Sequence, residues 1–459
     1  MLKYSYYPFK NDLEKIDGSD LSLLKNISEG WYIDYKVQGL KVADFGKHLS
    51  AFANQYGGWL IIGVSERDDS SRTADKFPGI DKSEVAKVSL ALREATSAHV
   101  NPEVLYEEKV LDGPIDEISL EKGKSIIVVG VPRSVNTPHI HSSGRIYRRV
   151  ADQSKPKEET DRYILDELWK RGNDHQEKLK RALTNIPKLP ECQSKLPFAH
   201  IYFKPSDGQL PPKKKLEFDE FVRIVTNSDK KIFGVHAPMQ AINTTVNGFV
   251  ARQIEGNDPS LASLSLNWWH DGTVRFDIPL NVYDFSRFLD THETNKYAKQ
   301  YCQLAHSNGY QEMKIVDYSI FFQTATSLVN CYLHMLDSTD DKRDVFSCFT
   351  LRNVFQTSPF VDSKTFIERI KKFSLPLTSE QDIVFPREPT EDNMFLHKAE
   401  TRFSNYTNNE TYQPIPYCFA SPVIYMVFSS VGLVSDVDTF LKDTDLWGFD
   451  KVKMNFSKP

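Results

Sequence analysis

The hydrophobic and polar positions near the N-terminus change period twice, which predicts a strand, a helix and a second strand. Residues Trp31–Val37 (WYIDYKV) alternate between two faces, as a strand does. Residues 41–56 then place apolar side chains three and four positions apart, which predicts an amphipathic helix with Gly57 as its C-terminal cap. The run Trp59–Val64 (WLIIGV) has no polar face, so we expect a strand that is buried on both sides.

The patterns that follow predict helices and strands packed together in one domain, so the expected fold class is α+β. The predicted helices cover residues 83–100 and 157–171, and the predicted extended segments lie near residues 103–109, 125–131 and 145–150.

The length of 459 residues predicts two domains rather than one. We assign residues 1–172 to the first domain. Residues 173–215 are rich in proline and lysine, which favours a solvated linker. Residues 216–459 form a second α+β domain of unknown role, with a hairpin predicted in 264–280 and helices near 316–336 and 363–373.

Composition narrows the class of protein. With 40% hydrophobic and 26% charged residues the chain is globular, and a net charge of −5 excludes a wholly basic protein that coats nucleic acid. The sequence has neither a signal peptide nor an apolar run long enough to span a bilayer, which predicts no membrane partner. Its five cysteines form no CxxC pair, so we expect a cytoplasmic protein with reduced thiols.

Acidic residues at the ends of the two predicted strands are candidates for metal chemistry. Asp34 and Lys36 share one face of a strand at about 6–7 Å. Metal-dependent nucleases use this D-x-K arrangement, in which the carboxylate binds a cation and the lysine stabilises charge on the phosphate. Glu66 follows the second strand, and Glu29 joins the site only if the chain turns at Gly30. The alternative is an ordinary surface charge pair.

Basic residues between 133 and 157 are candidates for nucleic-acid contacts. The candidates are Arg133, Arg145, Arg148 and Arg149. Arg148 and Arg149 are adjacent on a strand and point to opposite faces, so only one of them can line a given groove. Contacts with phosphates would make binding depend on salt. The alternative is a solvated edge strand whose arginines pair with nearby acids.

Four segments of the first domain occur in the order found in a known family. The segments EGWYIDYK, LSAFANQYGGWLIIGVSE, IIVVGVPRS…TPH and GRIYRRV resemble the Alba-like domain of the Schlafen family. The resemblance covers about residues 25–172. It implies an Alba-like α+β fold and a function in nucleic-acid binding, with a role in phage defence as an expectation at the level of the family.

Some vertebrate Schlafens are metal-dependent endoribonucleases that cut tRNA and rRNA with three acids. The resemblance places these acids at Glu29, Asp34 and Glu66, with Lys36 in the lysine position, and implies Mg²⁺ or Mn²⁺ as cofactor. Two positions depart from the family pattern, because Asp34 stands for a glutamate and Glu66 for an aspartate. Vertebrate nucleases also use two Alba-like lobes, so a homodimer or the C-terminal half is expected to supply the second wall.

These observations together predict a metal-dependent endoribonuclease that acts on structured RNA such as tRNA. The alternative is a non-catalytic protein that binds RNA or DNA, or a nucleotide-responsive regulator, with the C-terminal half as a sensor domain. The sequence contains no phosphate-binding loop of the GxxxxGK[ST] type, which weighs against a dependence on ATP.

Overall fold

A computed structural model of the chain divides it into two compact units. It describes residues 2–150, 155–184, 191, 194–226, 239–254, 263–310, 312–390, 393–402, 407–408, 411–412 and 415–442. The first unit comprises Met1–Lys178 with Asp207–Leu210, and the second comprises Leu179–Ser206 with Pro211–Pro459. Both units mix helices and strands, so the α+β class is confirmed.

The first unit contains short strands between longer helices. Its helices are α1 (Gly18–Leu23), α2 (Val42–Asn54), α3 (Val85–His99) and α4 (Arg162–Thr184), the last of which begins in this unit. Its strands are β1 (Ile33–Lys36), β2 (Gly58–Ile62), β3 (Ser65–Glu66), β4 (Ala74–Lys76), β5 (Ile80–Asp81), β6 (Val100–Asn101), β7 (Glu107–Asp112), β8 (Lys124–Val131), β9 (Ile140–His141), β10 (Tyr147–Arg148) and β11 (Lys157–Glu158).

The main sheet of this unit is mixed, with five strands. The order is β1-β2-β8-β5, and β7 also pairs with β8. The strands β1 and β2 are parallel, with Ile33 opposite Trp59, whereas β8 is antiparallel to its partners. The two strands predicted first are therefore neighbours, and their C-terminal ends lie at the same edge of the sheet.

Both faces of this sheet are covered, which explains the purely apolar sequence of β2. On one face Leu60 and Ile62 pack with Phe45, Leu49 and Phe52 of α2. On the other face the sheet packs against residues from the N-terminal segment; this core includes Phe9, Leu13, Leu21, Leu24, Ile33, Tyr35, Trp59 and Ile61. Because Ile33 and Tyr35 face this second core, Asp34 and Lys36 project towards the side that α2 covers.

The turn between α2 and β2 requires glycine. Gly57 has φ +75°, in the left-handed region, and its N–H donates to the carbonyl of Phe52 at 2.8 Å. Helix α2 ends at Asn54 with Gln55 as its C-cap, so Gly57 lies one residue beyond the C′ position predicted for it and closes the turn that follows. A Cβ atom on Gly57 would lie 2.6 Å from the backbone nitrogen of Arg133, so a larger residue would also collide with the chain beyond β8.

The second unit is larger and also α+β. Its helices are α5 (Phe218–Thr226), α6 (Phe285–Thr291), α7 (Lys296–Ser307), α8 (Phe321–Thr339), α9 (Lys364–Phe373), α10 (Ile415–Ser430) and α11 (Val437–Lys442). Its strands are β12 (Phe198–Pro205), β13 (Ala241–Thr245), β14 (Gly248–Arg252), β15 (Ser265–Trp269), β16 (Val274–Pro279), β17 (Asn281–Tyr283), β18 (Lys314–Asp317), β19 (Val345–Arg352), β20 (Thr357–Phe360), β21 (Ile383–Phe385), β22 (Phe395–His397), β23 (Thr407–Asn408) and β24 (Thr411–Tyr412).

The core of the second unit is an antiparallel sheet of eight strands. The order is β13-β14-β15-β16-β12-β19-β21, with β22 also paired to β19. The hairpin predicted in 264–280 is confirmed by the pairing of β15 with β16. Helices α8 and α10 contribute to the large apolar core of this unit.

The prediction of a linker over residues 173–215 is wrong for two segments. Residues 173–184 continue α4, and 198–205 form the interior strand β12, which pairs with both β16 and β19. Prolines and lysines on either side of β12 gave the region the composition of a linker, while Phe198, Ile201 and Phe203 are fully buried. Residues 185–190 and 192–193 lie outside the described part.

Within the described part of the chain, no helix is both long enough and apolar enough to cross a bilayer.

Candidate active site on the first sheet

Asp34 lies at the centre of a buried network of charges. It is 0% exposed on β1, and its Oδ2 accepts a hydrogen bond from Arg149 Nη1 at 2.9 Å. The same oxygen lies 2.6 Å from His48 Nδ1 of α2, and Lys36 Nζ donates to Oδ1. The interpretation of Asp34–Lys36 as a surface charge pair is therefore wrong.

Arg149 is part of this network and is not a surface residue. Its side chain is fully buried, and Nη2 donates to the carbonyl of Gly30 at 3.0 Å. The guanidinium also lies over the ring of Phe52, 5.2 Å from its centroid. A group with no exposed surface cannot touch a nucleic acid in this arrangement, so the nucleic-acid contact predicted for Arg149 is replaced by a contact with Asp34.

The contacts of Asp34 keep it ionised despite its burial. Burial by itself opposes the charged form, but the hydrogen bond from His48, and with it the charge of Arg149, lowers the pKa of Asp34 well below its ordinary value. Burial also lowers the pKa of His48, and the positive charges of Lys36 and Arg149 act in the same direction. The hydrogen bond and the charge of Asp34 act in the opposite direction on His48, but burial and the two cations outweigh them.

Glu29 and Glu66 are joined by one arginine. Arg72 Nη2 donates to Glu29 Oε2, and Arg72 Nε lies 3.3 Å from Glu66 Oε2. Lys36 Nζ is 3.7 Å from Glu29 Oε1 and also binds Asp34. Lys36 therefore lies between Asp34 and Glu29, and Glu66 is linked to Glu29 through Arg72.

Glu29 is the carboxylate with an unsatisfied oxygen. The residue is 5% exposed, and Oε1 has no hydrogen-bond partner among the residues that the structure describes. Burial, followed by the neighbouring carboxylates of Asp34 and Glu66, raises the pKa of Glu29 to about 9, while the charge of Lys36 opposes the rise. The site therefore holds Glu29 in an environment that disfavours a further negative charge.

The raised pKa of Glu29 predicts that stability falls as the pH rises. Between pH 4.5, the ordinary pKa, and about pH 9, native Glu29 keeps a proton that the unfolded chain has released. The free energy of unfolding then decreases with pH, by at most about 1.4 kcal/mol per unit from this group. Urea unfolding in EDTA across this range should show the decrease in the wild type relative to Glu29→Gln. The exposed Glu84 supplies the control Glu84→Gln, and parallel wild-type and Glu29→Gln curves would contradict the assignment.

Asn54, at the end of α2, positions the chain that carries Arg149. It is fully buried, and Nδ2 donates to the carbonyls of His139 and Tyr147, both at 3.0 Å. Its Oδ1 accepts from the backbone N–H of His139 at 2.8 Å. The asparagine of the AFAN motif therefore fixes Tyr147 two residues before Arg149, which delivers the guanidinium to Asp34.

The remaining predicted basic residues lie elsewhere. Arg145 pairs with Glu158, and Arg148 pairs with Glu159, across the short β10–β11 hairpin. Both arginines therefore form ion pairs, as that alternative predicted, but only the Arg145 pair is solvated and the Arg148 pair is largely buried. Arg133 is exposed and forms no ion pair with any residue in the described part of the chain.

The resemblance implies a divalent cation, Mg²⁺ or Mn²⁺, at these acids. Among the described residues there is no group of three or more His, Cys, Asp or Glu side chains arranged to hold a metal. Glu29 is the acid with an oxygen open to a cation, since its Oε1 lacks a donor, and Glu66 is its neighbour through Arg72, which a cation would have to displace. Asp34 fits less well because both of its oxygens are bound.

Sequence reasoning missed two members of the network, His48 and Arg72. His48 lies between Phe45 and Phe52 on the buried side of α2, and a histidine within this apolar stripe was a usable signal. Arg72 lies in the loop between β3 and β4, with φ +45°. Nothing in the local sequence pattern of that loop points to Glu29, which is 43 residues away.

Comparisons with known proteins found a family model and solved structures that are similar to part of this chain. The family model for Schlafen, AlbA_2 matches residues 29–158. A similar solved structure is the N-terminal domain of a protein of Nitrosomonas europaea related to the ATP-dependent DNA helicase RecG, with 19% identity over 32% of this chain and 92% of that chain, at a TM-score of 0.22. Another is the DIP2311 protein of Corynebacterium diphtheriae, with 17% identity over 28% of this chain and 25% of that chain, at a TM-score of 0.18. Comparison with curated proteins gave no match.

The matched residues include the whole charge network. Glu29, Asp34, Lys36, Glu66 and Arg149 all fall within 29–158, as do the sheet strands β1, β2 and β8. Residues 29–158 of this chain are therefore similar to the Schlafen AlbA_2 domain.

Proposed function

We propose that the AlbA-like domain is a metal-dependent endoribonuclease that cuts structured RNA such as tRNA. The observation that carries the proposal is that Glu29 and Asp34 meet at Lys36, with Glu66 joined to Glu29 through Arg72. Acids that can hold a cation, beside a partly exposed lysine, are the groups that support cleavage of a phosphodiester.

The residues would divide the work as follows. Glu29 and Glu66 would hold Mg²⁺ or Mn²⁺, with Asp34 behind them. When bound, such an ion polarises a phosphoryl oxygen and lowers the pKa of an attacking water. Lys36 is 19% exposed and keeps its ammonium between Asp34 and Glu29. It would therefore stabilise negative charge that develops on the phosphate, while Asp34 fixes its position.

The preference for RNA and the second wall of the groove follow from the family resemblance. We propose that a homodimer or the C-terminal half supplies this wall, as the second lobe does in vertebrate Schlafens. Sedimentation that shows a strict monomer, together with RNA binding by the isolated residues 1–178, would refute this part of the proposal.

The full-length chain provides the test of the nuclease. Labelled tRNA, single-stranded DNA and duplex DNA are incubated with the protein in Mn²⁺ and, separately, in EDTA. We expect cleavage of tRNA in Mn²⁺ and none in EDTA. Intact substrates after incubation with a preparation replete in Mn²⁺ would refute the nuclease.

A second candidate, a non-catalytic nucleic-acid-binding protein, is favoured by the pairing of the acids. Each of the three carboxylates already contacts an arginine or a lysine, and both oxygens of Asp34 are occupied. Such a site can be stable without a metal ion. This function predicts salt-sensitive binding that EDTA leaves unchanged and substrates that stay intact.

A further inference from the structure

Beside the charge network lies an exposed surface that the nuclease chemistry does not use. We call it the aromatic–arginine patch, and it consists of Trp31, Tyr56, Arg133 and Arg171. Tyr56 is 39% exposed and Trp31 is half-buried, and their ring centroids are 5.7 Å apart. Tyr32 continues the row of aromatic rings, 5.9 Å from Tyr56.

The turn at Gly57 brings the arginines to these rings. The backbone of Gly57 packs directly against that of Arg133, where an added Cβ would lie 2.6 Å from the nitrogen. Arg171 of α4 donates from Nη1 to the carbonyl of Asn54 at 3.0 Å, two residues before Tyr56. Three separate elements therefore meet at one place: the end of α2, the chain after β8, and α4.

Two like charges are held together in this patch. Arg171 Nη1 donates to the carbonyl of Ser134 at 3.4 Å, and Ser134 directly follows Arg133, so the two arginines are neighbours. Burial, and after it the charge of Arg133, lowers the pKa of Arg171 to about 10, while the charge of Glu167 opposes the shift. Arg133 is exposed and without an ion pair among the described residues. Arg171 Nη1 already donates to backbone carbonyls, so the exposed Arg133 is the arginine placed to donate to an anion with several acceptor oxygens, such as a phosphodiester.

The patch also lies next to the proposed catalytic groups. Trp31 follows Gly30, whose carbonyl binds Arg149, the partner of Asp34. Exposed aromatic rings beside arginines form the combination that binds single strands, because an unpaired base stacks on a ring while its phosphate meets a cation. A base inside a duplex is already stacked on both faces and cannot use such a ring.

We propose that the aromatic–arginine patch binds an unpaired nucleotide of a single-stranded nucleic acid, with the base on Tyr56 and the phosphate on Arg133. The inference rests on the nucleic-acid contact within the proposed function, but not on cleavage. It assigns the domain a preference for RNA with loops or unpaired ends over fully paired duplexes.

Binding in EDTA tests the patch separately from catalysis. The full-length protein is titrated against a labelled single strand of RNA of about 12 nucleotides, its blunt duplex, and the same sequence as single-stranded DNA. Tyr56→Ala is expected to weaken binding of the single strand by about 5- to 100-fold, and Tyr56→Phe to restore it. Arg133→Glu is expected to weaken binding and to reduce the slope of log affinity against log salt by about 0.7.

Matched substitutions control for general effects on the surface. Tyr163 on α4 is 72% exposed, and Arg93 on α3 is exposed, so Tyr163→Ala and Arg93→Glu should leave affinity unchanged. The single-stranded RNA and DNA arms show which sugar the patch prefers, and binding of either strand supports the proposal. It is overturned if Tyr56→Ala behaves like Tyr163→Ala, if the duplex binds as tightly as the single strand, or if no strand binds.

The result is independent of the nuclease assay. Binding that depends on Tyr56 without cleavage in Mn²⁺ would keep the patch and refute the nuclease. Cleavage that is indifferent to Tyr56→Ala, with unchanged affinity, would keep the nuclease and refute the patch.

Discussion

Arg149→Met is expected to lower the free energy of unfolding of the AlbA-like domain by about 3–5 kcal/mol. Arg149 and Asp34 are both fully buried and are joined by a hydrogen bond of 2.9 Å. Methionine fills a similar volume but removes the guanidinium, so Asp34 loses one of the partners that keep its carboxylate ionised in the core. The loss also leaves the carbonyl of Gly30 without the donors that Arg149 supplies.

Urea unfolding of the full-length chain measures this loss, and Arg145→Met is its matched control. Arg145 lies four residues earlier, and its pair with Glu158 is exposed on both sides. An exposed pair contributes about 0–1 kcal/mol, so this control should remain close to the wild type. The double variant Asp34→Asn/Arg149→Met should lose less free energy of unfolding than the two single variants lose together. In the double variant neither charge of the pair is left buried without its partner. Equal, small effects of Arg149→Met and Arg145→Met would contradict the buried pair.

Much of the sheet could be predicted because its sequence patterns are local. Alternation places Asp34 and Lys36 on one face of β1, and spacings of three and four place the apolar side of α2 against β2. Gly57 predicts the turn, since residues other than glycine rarely adopt a φ of +75°. These features depend on residues within one turn or one strand, which the sequence shows directly.

The partners of the acids could not be predicted in the same way. Arg149 lies 115 residues from Asp34, and its burial depends on Asn54, which holds the chain near Tyr147. The sequence made Arg149 and Arg148 equal candidates for a nucleic-acid contact. In the structure Arg148 instead pairs with Glu159. Long-range ion pairs of this kind arise from the fold, and no local period records them.

The contacts of the acids indicate that Asp34 has a different role from Glu29 and Glu66. Asp34 is bound by Arg149, His48 and Lys36, so its charge is compensated inside the domain. Glu29 is compensated less completely, as the oxygen without a hydrogen-bond partner and the raised pKa both show. If a cation enters, the structure favours the side of Glu29 and Glu66. Asp34 then acts mainly by holding Lys36, a division of roles that the three-acid pattern alone does not distinguish.

Lys36→Met is expected to slow Mn²⁺-dependent cleavage of tRNA by about 100- to 1000-fold, the cost of removing one group that stabilises charge in a transition state. The ammonium of Lys36 touches Asp34 and lies 3.7 Å from Glu29, so it is placed between these two acids. Its loss leaves Asp34 with Arg149 and His48, which should keep the domain folded. Lys36→Arg retains the charge in a wider, planar group and should recover only part of the rate.

Single-turnover rates with enzyme in excess separate the chemical step from binding. Lys87 on α3 is exposed, so Lys87→Met removes the same charge away from the site and should cleave like the wild type. Affinity for tRNA in EDTA and urea unfolding are measured on the same preparations. If Lys36 stabilises the developing charge, the cleavage rate of Lys36→Met falls. Its affinity for tRNA and its free energy of unfolding then stay close to those of Lys87→Met. An unchanged rate, or a loss that reduced affinity accounts for in full, would show that the lysine serves only to balance Asp34 and Glu29.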